Sequence, residues 1–216
     1  YLFDTPLLLS KNEGLYMGQK IIKRTFDIFF SIIFLVLLTP IFILISLSIK
    51  LNDNGPVIYS HERCTENGKR FKIFKFRTMI VNAEKDGRAV LAKEEDPRIT
   101  PIGKILRRLR LDELPQLINI LKGEMSFVGP RPERPEIIEE YKKRLPEFDL
   151  RLSVKCGLTG YAQVLGRYNT TPEEKLKLDL IYIQTYSFLL DIKIILMTLR
   201  ALLSKESTQG FKKINM

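Results

Sequence analysis

Two adjacent carboxylates, Asp112 and Glu113, follow the arginines of "LRRLRLDELPQL" (residues 106–117) and stand just before Pro115. An aspartate can attack phosphorus, but two anions repel, so such a site needs guanidinium groups and a divalent cation on the phosphoryl oxygens. Glu113 is an oxygen ligand of the kind Mg²⁺ takes, one or two carboxylates being completed by substrate phosphates. Arg107, Arg108 and Arg110 are close enough in sequence to act as the clamp. Without chemistry, the same pair reads as ordinary capping carboxylates at a helix start.

Two further stretches carry cations. In "FVGPRPERP" (127–135), Arg131 lies between Pro130 and Pro132, whose restricted backbones aim the guanidinium at little ordering cost and suit it to bidentate phosphate recognition. A proline-rich turn with a solvated arginine is the plain alternative. In "KFRTM" (75–79), Lys75 and Arg77 are either a sheet edge kept soluble by charge or a basic face turned toward the site.

The elements that must position these residues are legible from pattern. Ile102, Ile105, Leu106 and Leu109 recur at helical spacing, and a second short helix runs from Pro115 to Leu121 and stops near Gly123, leaving Asp112 and Glu113 at the junction. "VIYS" (57–60) and "FKIFKF" (71–76), separated by a polar stretch with Asn67-Gly68, predict a β-hairpin. In its second strand Phe71, Ile73 and either Phe74 or Phe76 alternate with Lys72 and Lys75, predicting one apolar and one basic side. Residues 82–100 lack apolar periodicity and read as a surface loop. Residues 136–144 form a polar helix, "CGLTGYAQVLGR" (156–167) a glycine-punctuated loop or strand, and 172–203 one or two amphipathic helices. A lead-in (1–19) and a frayed tail (204–216) flank a membrane element at 20–51 and a catalytic domain at 52–203.

Residues 28–49 carry no charge and at ~1.5 Å per residue would reach about 33 Å, comparable with a hydrocarbon core. Pro40 interrupts this run and predicts a kink, with Thr39 able to bond a carbonyl of the preceding turn. Lys20, Lys23 and Arg24 precede the run and Lys50 follows it, so basic flanks at both ends favour a helix that enters and returns. A kinked span and a buried core helix remain open at this stage. No cleavable signal pattern is present, and the chain opens on Tyr1 rather than Met, as a piece of a longer protein would. The excess of 35 lysines and arginines over 25 acidic residues, net +10, selects anionic partners: lipid headgroups or phosphorylated small molecules ahead of nucleic acid. Cys64 and Cys156 match no metal-ligand spacing, and His61, with no nearby partner base, reads as structural.

The ordered blocks "KRTFDI", the apolar run broken at Thr39-Pro40, "KFRTM", "LDELPQLINILKGEMSFVGPRP", "GLTGYAQVLGR" and "LDLIYIQTYSFLLDIKIIL" resemble the bacterial sugar transferases, the monotopic polyprenyl-phosphate phosphoglycosyl transferases. The resemblance runs from about residue 20 to 203. It implies a mostly helical α+β fold, with a re-entrant broken helix and a small β-hairpin on a compact catalytic domain at the cytoplasmic face of the bacterial inner membrane. It also implies transfer of a sugar 1-phosphate from a UDP-sugar to undecaprenyl phosphate with release of UMP, initiating glycoconjugate or exopolysaccharide synthesis. Asp112 is then the nucleophile that forms a covalent phosphosugar, Glu113 the Mg²⁺ ligand, and Arg107 and Arg131 the phosphate contacts, with Lys75, Arg77 and Asp179 as weaker candidates. Nucleic acid is not an expected partner, and a homodimer through the apolar C-terminal helix is left open.

Departures from the family pattern fall outside this machinery. Thr39 replaces the usual Ser, Cys156-Gly157 replaces Pro-Gly, Tyr161 stands where Trp is usual, and His61 and Cys64 replace Gln and a small apolar residue. A different class, a non-catalytic surface gripping anionic lipid or nucleic acid, would share the +10 charge but tolerate Glu113→Gln.

Overall fold

The computed structural model describes residues 14–81, 83, 96–166 and 170–203. Most of the lead-in, most of the 82–100 loop, Arg167 and the tail lie outside the described residues. The order is α1 (Met17–Leu37), α2 (Thr39–Asp53), β1 (Ile58–Cys64), β2 (Arg70–Phe76), α3 (Pro101–Arg108), α4 (Gln116–Lys122), β3 (Ser126–Val128), α5 (Pro135–Lys142), β4 (Gly157–Thr159), α6 (Tyr161–Leu165), α7 (Pro172–Gln184) and α8 (Phe188–Leu203). The architecture is α+β and mostly helical, with two small sheets.

α1 and α2 meet at a 60° bend. Pro40 offers no N–H there, and the Thr39 hydroxyl donates to the Leu35 carbonyl at 2.7 Å, as the hydroxyl-proline pair predicts. Among the described residues no single helix is long and apolar enough to cross a membrane, whereas the bent pair together meets that length and composition. Phe29, Val36, Leu37, Ile43, Leu44 and Leu47 on both sides of the bend are exposed.

The opposite face of α1 is bolted to the rest of the molecule, and the bolts are the polar residues of "KRTFDI". Arg24 donates to the Ile120 and Leu121 carbonyls at 2.6 and 2.7 Å, satisfying the end of α4, where Gly123 (φ 84°) terminates the helix. Asp27 accepts the Ser126 hydroxyl and the Phe127 amide, both at 3.0 Å, so a side chain of α1 continues the edge of β3.

The hairpin is antiparallel, with Ile58 opposite Phe76 and Cys64 opposite Arg70, and Asn67 and Gly68 adopt the positive φ that the turn requires. The simple split of β2 into apolar and basic sides does not hold. Phe71 and Ile73 face the main core, while Phe76, on the other face, joins Ile45, Ile49 and Leu106 in a second cluster. β2 is sandwiched between two apolar groups, so Lys75 shares its face with Phe71 and Ile73 and points inward.

The "GLT" segment is a strand, β4, parallel to β3, and the residues after it form α6 rather than a loop. Gly129 and Gly157 permit this pairing: a Cβ on Gly157 would lie 2.1 Å from the Gly129 nitrogen. The 172–203 stretch resolves into α7, with a Thr171/Glu174 capping box, and α8.

Candidate active site

Glu113 is the hub. The Lys75 ammonium lies 2.7 Å from its Oε1, and an Arg131 Nη2 donates to the same oxygen at 3.2 Å. Burial alone would raise the Glu113 carboxyl, but the charges of Arg131 and Lys75 outweigh it and hold the group at about 2. It is therefore an anion throughout the physiological range.

Asp112, its neighbour, has the opposite environment. It makes no ion pair among the described residues, and burial raises its carboxyl above the ordinary value, with Lys75 opposing and the Glu113 charge adding to the rise. Arg107, one turn earlier, donates from Nε to the Thr78 hydroxyl at 2.8 Å and is electrostatically coupled to Asp112. The two carboxylates sit on a 3₁₀ turn, Leu111–Glu113, entered through Arg110 in the left-handed region at φ 58°. That reversal between α3 and α4 faces Glu113 toward β2 and the "GPRP" loop. A non-glycine residue in this region is uncommon and tends to mark functional turns.

Two supports hold the frame. Thr100 caps α3 by accepting the Gly103 amide at 3.0 Å, and its own amide donates to the Thr78 carbonyl at 3.0 Å, docking α3 against the end of "KFRTM". Asn119, fully buried in α4, accepts the Phe74 amide at 3.0 Å and donates to the Lys72 carbonyl at 2.8 Å, so an amide side chain pairs with the free edge of β2. Lone Asn119 inside the apolar "LINIL" was the signal available for this clamp.

Five of the sequence-predicted site residues thus converge: Lys75, Arg107, Asp112, Glu113 and Arg131. The other two are engaged elsewhere. Arg77 is buried in an ion pair with Asp53 at the end of α2, and Gly55 leaves room for its guanidinium. Asp179 is 1% exposed and ion-paired with Arg151 at 2.7 Å, a buried arginine that pattern reading missed. His61 stacks on Tyr59 at 5.3 Å, and burial, aided by Arg63, Arg134 and Lys75, lowers it to about 3. It stays neutral and carries no charge at physiological pH.

The family described as Bacterial sugar transferase matches residues 18–205. The chain belongs to the bacterial sugar transferase family. Over 202 residues this sugar transferase is 41% identical to the UDP-glucose:undecaprenyl-phosphate glucose-1-phosphate transferase of Escherichia coli (strain K12), covering 91% of this chain and 42% of that protein. It is 38% identical over 186 residues to the UDP-N-acetylgalactosamine-undecaprenyl-phosphate N-acetylgalactosaminephosphotransferase of Aeromonas hydrophila, covering 85% of this chain and 44% of the relative. It is 39% identical over 193 residues to the exopolysaccharide production protein ExoY of Sinorhizobium fredii, covering 83% of this chain and 84% of that one. The sugar transferase chain therefore spans less than half of the first two relatives and most of the third. The matched region contains every site residue described above.

Proposed function

We propose that this chain transfers a sugar 1-phosphate from a UDP-sugar to undecaprenyl phosphate and releases UMP, at the cytoplasmic face of a bacterial inner membrane. The observation that carries the reading is the divergence of two adjacent carboxylates: Glu113 is neutralised by Lys75 and Arg131, while Asp112 beside them is partly buried and makes no ion pair among the described residues. A buried, unpaired carboxylate next to cations has the environment of a nucleophile toward an anionic phosphoryl group.

An Asp112 carboxylate oxygen attacks the β-phosphorus of the donor. The bond from that phosphorus to the bridging oxygen breaks, UMP departs with the bridging oxygen, and the sugar phosphate remains on Asp112 as an acyl phosphate. A phosphate oxygen of the lipid then attacks the same phosphorus and frees Asp112. Arg131 and Arg107 stabilise charge on the phosphoryl oxygens in both steps.

The donor set fits magnesium. Glu113 is ionised, its Oε1 is taken by Lys75 and Arg131, and its second oxygen has no protein hydrogen-bond partner among the described residues. No cluster of three or more metal-binding side chains occurs among them, so an ion on Glu113 would depend on substrate phosphates for its remaining ligands. Bound there, Mg²⁺ would neutralise diphosphate charge.

The bent pair supports a monotopic, re-entrant placement, because its exposed apolar side chains flank the bend and basic residues stand at both ends. That depth would bring Asp112 to a lipid-borne phosphate. Incubating the wild-type protein with a panel of UDP-sugars, with and without undecaprenyl phosphate and Mg²⁺, tests the reading: lipid-dependent UMP release and a sugar-phosphate adduct on Asp112 are expected. No UMP from any donor overturns the transfer, and full activity of Asp112→Asn overturns the covalent route.

A further inference from the structure

Arg131 has an unusual backbone problem. Pro130 and Pro132 deprive it of flanking N–H groups, so beyond the Gly129 amide, which donates to the Thr159 carbonyl, the segment relies on donors reaching its carbonyls. The Gly157 amide reaches the Pro130 carbonyl at 2.9 Å. For the Arg131 carbonyl the donor is a side chain: Arg151 Nη2, also at 2.9 Å.

Arg151 is itself tightly fixed. It lies in the 3₁₀ segment Pro146–Ser153 and is 1% exposed. Its Nε and Nη2 both donate to Asp179 Oδ2 of α7, at 2.8 and 2.7 Å. Nη2 has two hydrogens, one for Asp179 and one for the Arg131 carbonyl. On the far side of Pro132, the Glu133 carboxylate is held by Lys175 of α7 at 2.7 Å, and the Glu133 carbonyl accepts the Cys64 amide at 3.1 Å. α7 thus grips the loop through both an anion and a cation.

We propose that Arg151, anchored by Asp179, is a positioning residue: it fixes the Arg131 peptide so that the Arg131 guanidinium is presented to Glu113 and the substrate phosphate. Lysine cannot replace it. A single ammonium on a flexible stem can meet Asp179 but lacks the planar fork that addresses carboxylate and carbonyl together. Asp179, buried and already paired, serves the donor's phosphate only through this relay. The inference rests on the proposed roles of Arg131 and Glu113, so its primary test is read without turnover.

The protein in detergent micelles is compared as wild type, Arg151→Lys and Asp179→Asn by the heteronuclear NOE of the Arg131 Nε–H, with the backbone amide spectrum reporting fold. Wild type should show an ordered Arg131 side chain, and both variants a side chain as mobile as an exposed arginine. Where Arg151→Lys does not fold, Asp179→Asn decides. In turnover, kcat should fall about tenfold to hundredfold, the size of effect a ~1 Å misplacement produces. Arg151→Lys should add little once Arg131→Ala is present. An Arg131 signal as ordered in the folded variants as in wild type overturns the proposal, and so does full additivity with Arg131→Ala. Absence of transfer with every donor, alongside a mobile Arg131 in the variants, would instead overturn the transferase reading alone.

Discussion

The Lys23 ammonium lies 2.5 Å from the Asp191 carboxylate, and both side chains are almost completely buried between α1 and α8. Tyr182 closes the triangle, accepting from Lys23 at 3.2 Å and donating to Asp191 at 2.8 Å. With Arg24 on the end of α4 and Asp27 on β3, the stretch of α1 from Lys23 to Asp27 belongs as much to the main core as to the apolar pair. The link between the bent helix pair and the rest of the fold is therefore polar.

This buried pair should be fragile when halved. Lys23→Met leaves Asp191 without its cation and should destabilise the protein by about 3–5 kcal/mol, the usual consequence of removing one partner of a buried pair. Adding Asp191→Leu should recover most of that loss, because two apolar groups need no compensation. Thermal unfolding in one detergent at fixed protein concentration distinguishes the single from the double variant.

Asp112→Asn should cost activity and gain stability. Burial holds the carboxyl above its ordinary 3.8, so ionising it penalises the folded state. The penalty is absent below 3.8 and grows as pH rises through the folded value. The variant should therefore melt higher than wild type at pH 7 and at the same temperature near pH 3, while transfer drops on the order of 10³–10⁴-fold. An unchanged melting temperature at pH 7 would remove the stored penalty.

Glu113 has the opposite sign. Its carboxyl is depressed from 4.5 to about 2, so its contribution to stability is complete above 4.5 and is lost as pH falls from there through 2. Glu113→Gln leaves Lys75 and Arg131 facing a neutral amide and should destabilise by roughly 1–3 kcal/mol at pH 7, with no difference near pH 2. Transfer should lose its Mg²⁺ dependence together with its rate. The wild-type acid limb should follow Asp112, whose carboxyl burial raises, rather than Glu113, held at about 2.

How much of this was written locally differs from residue to residue. The junction holding Asp112 and Glu113 is punctuated by Pro115 and Gly123, and Arg131 by its two prolines; these signals act within a few residues of the chain. The hairpin announced itself through Asn67-Gly68. β3 did not, and "CGLTGYAQVLGR" left loop and strand open for β4, since strands of three residues are too short to show a period and their partner lies some thirty positions away. Arg151 is the same lesson in a side chain: in "FDLRLS" it looks like any surface arginine until α7 delivers Asp179. The two-sided burial of β2 depended on α2 returning from the bend to supply Ile45 and Ile49, which nothing in "FKIFKF" encodes.

The bend itself makes the last prediction. Gly18 near the start of α1 has open space where a Cβ would sit, and Lys50 near the end of α2 is exposed, so Gly18→Cys and Lys50→Cys are mild probes. Cys64 and Cys156 are buried and should label slowly with a charged maleimide. In inside-out membrane vesicles both introduced cysteines should react, because a helix that turns at Thr39-Pro40 returns to the side it entered. Straightening the break with Pro40→Ala together with Thr39→Leu restores an N–H to the ladder and removes the hydroxyl that bonds Leu35, and should protect one of the two positions. If one probe of the parent protein reacts only from the opposite face, the bend is a kink within a span and Asp112 must meet its lipid phosphate by another route.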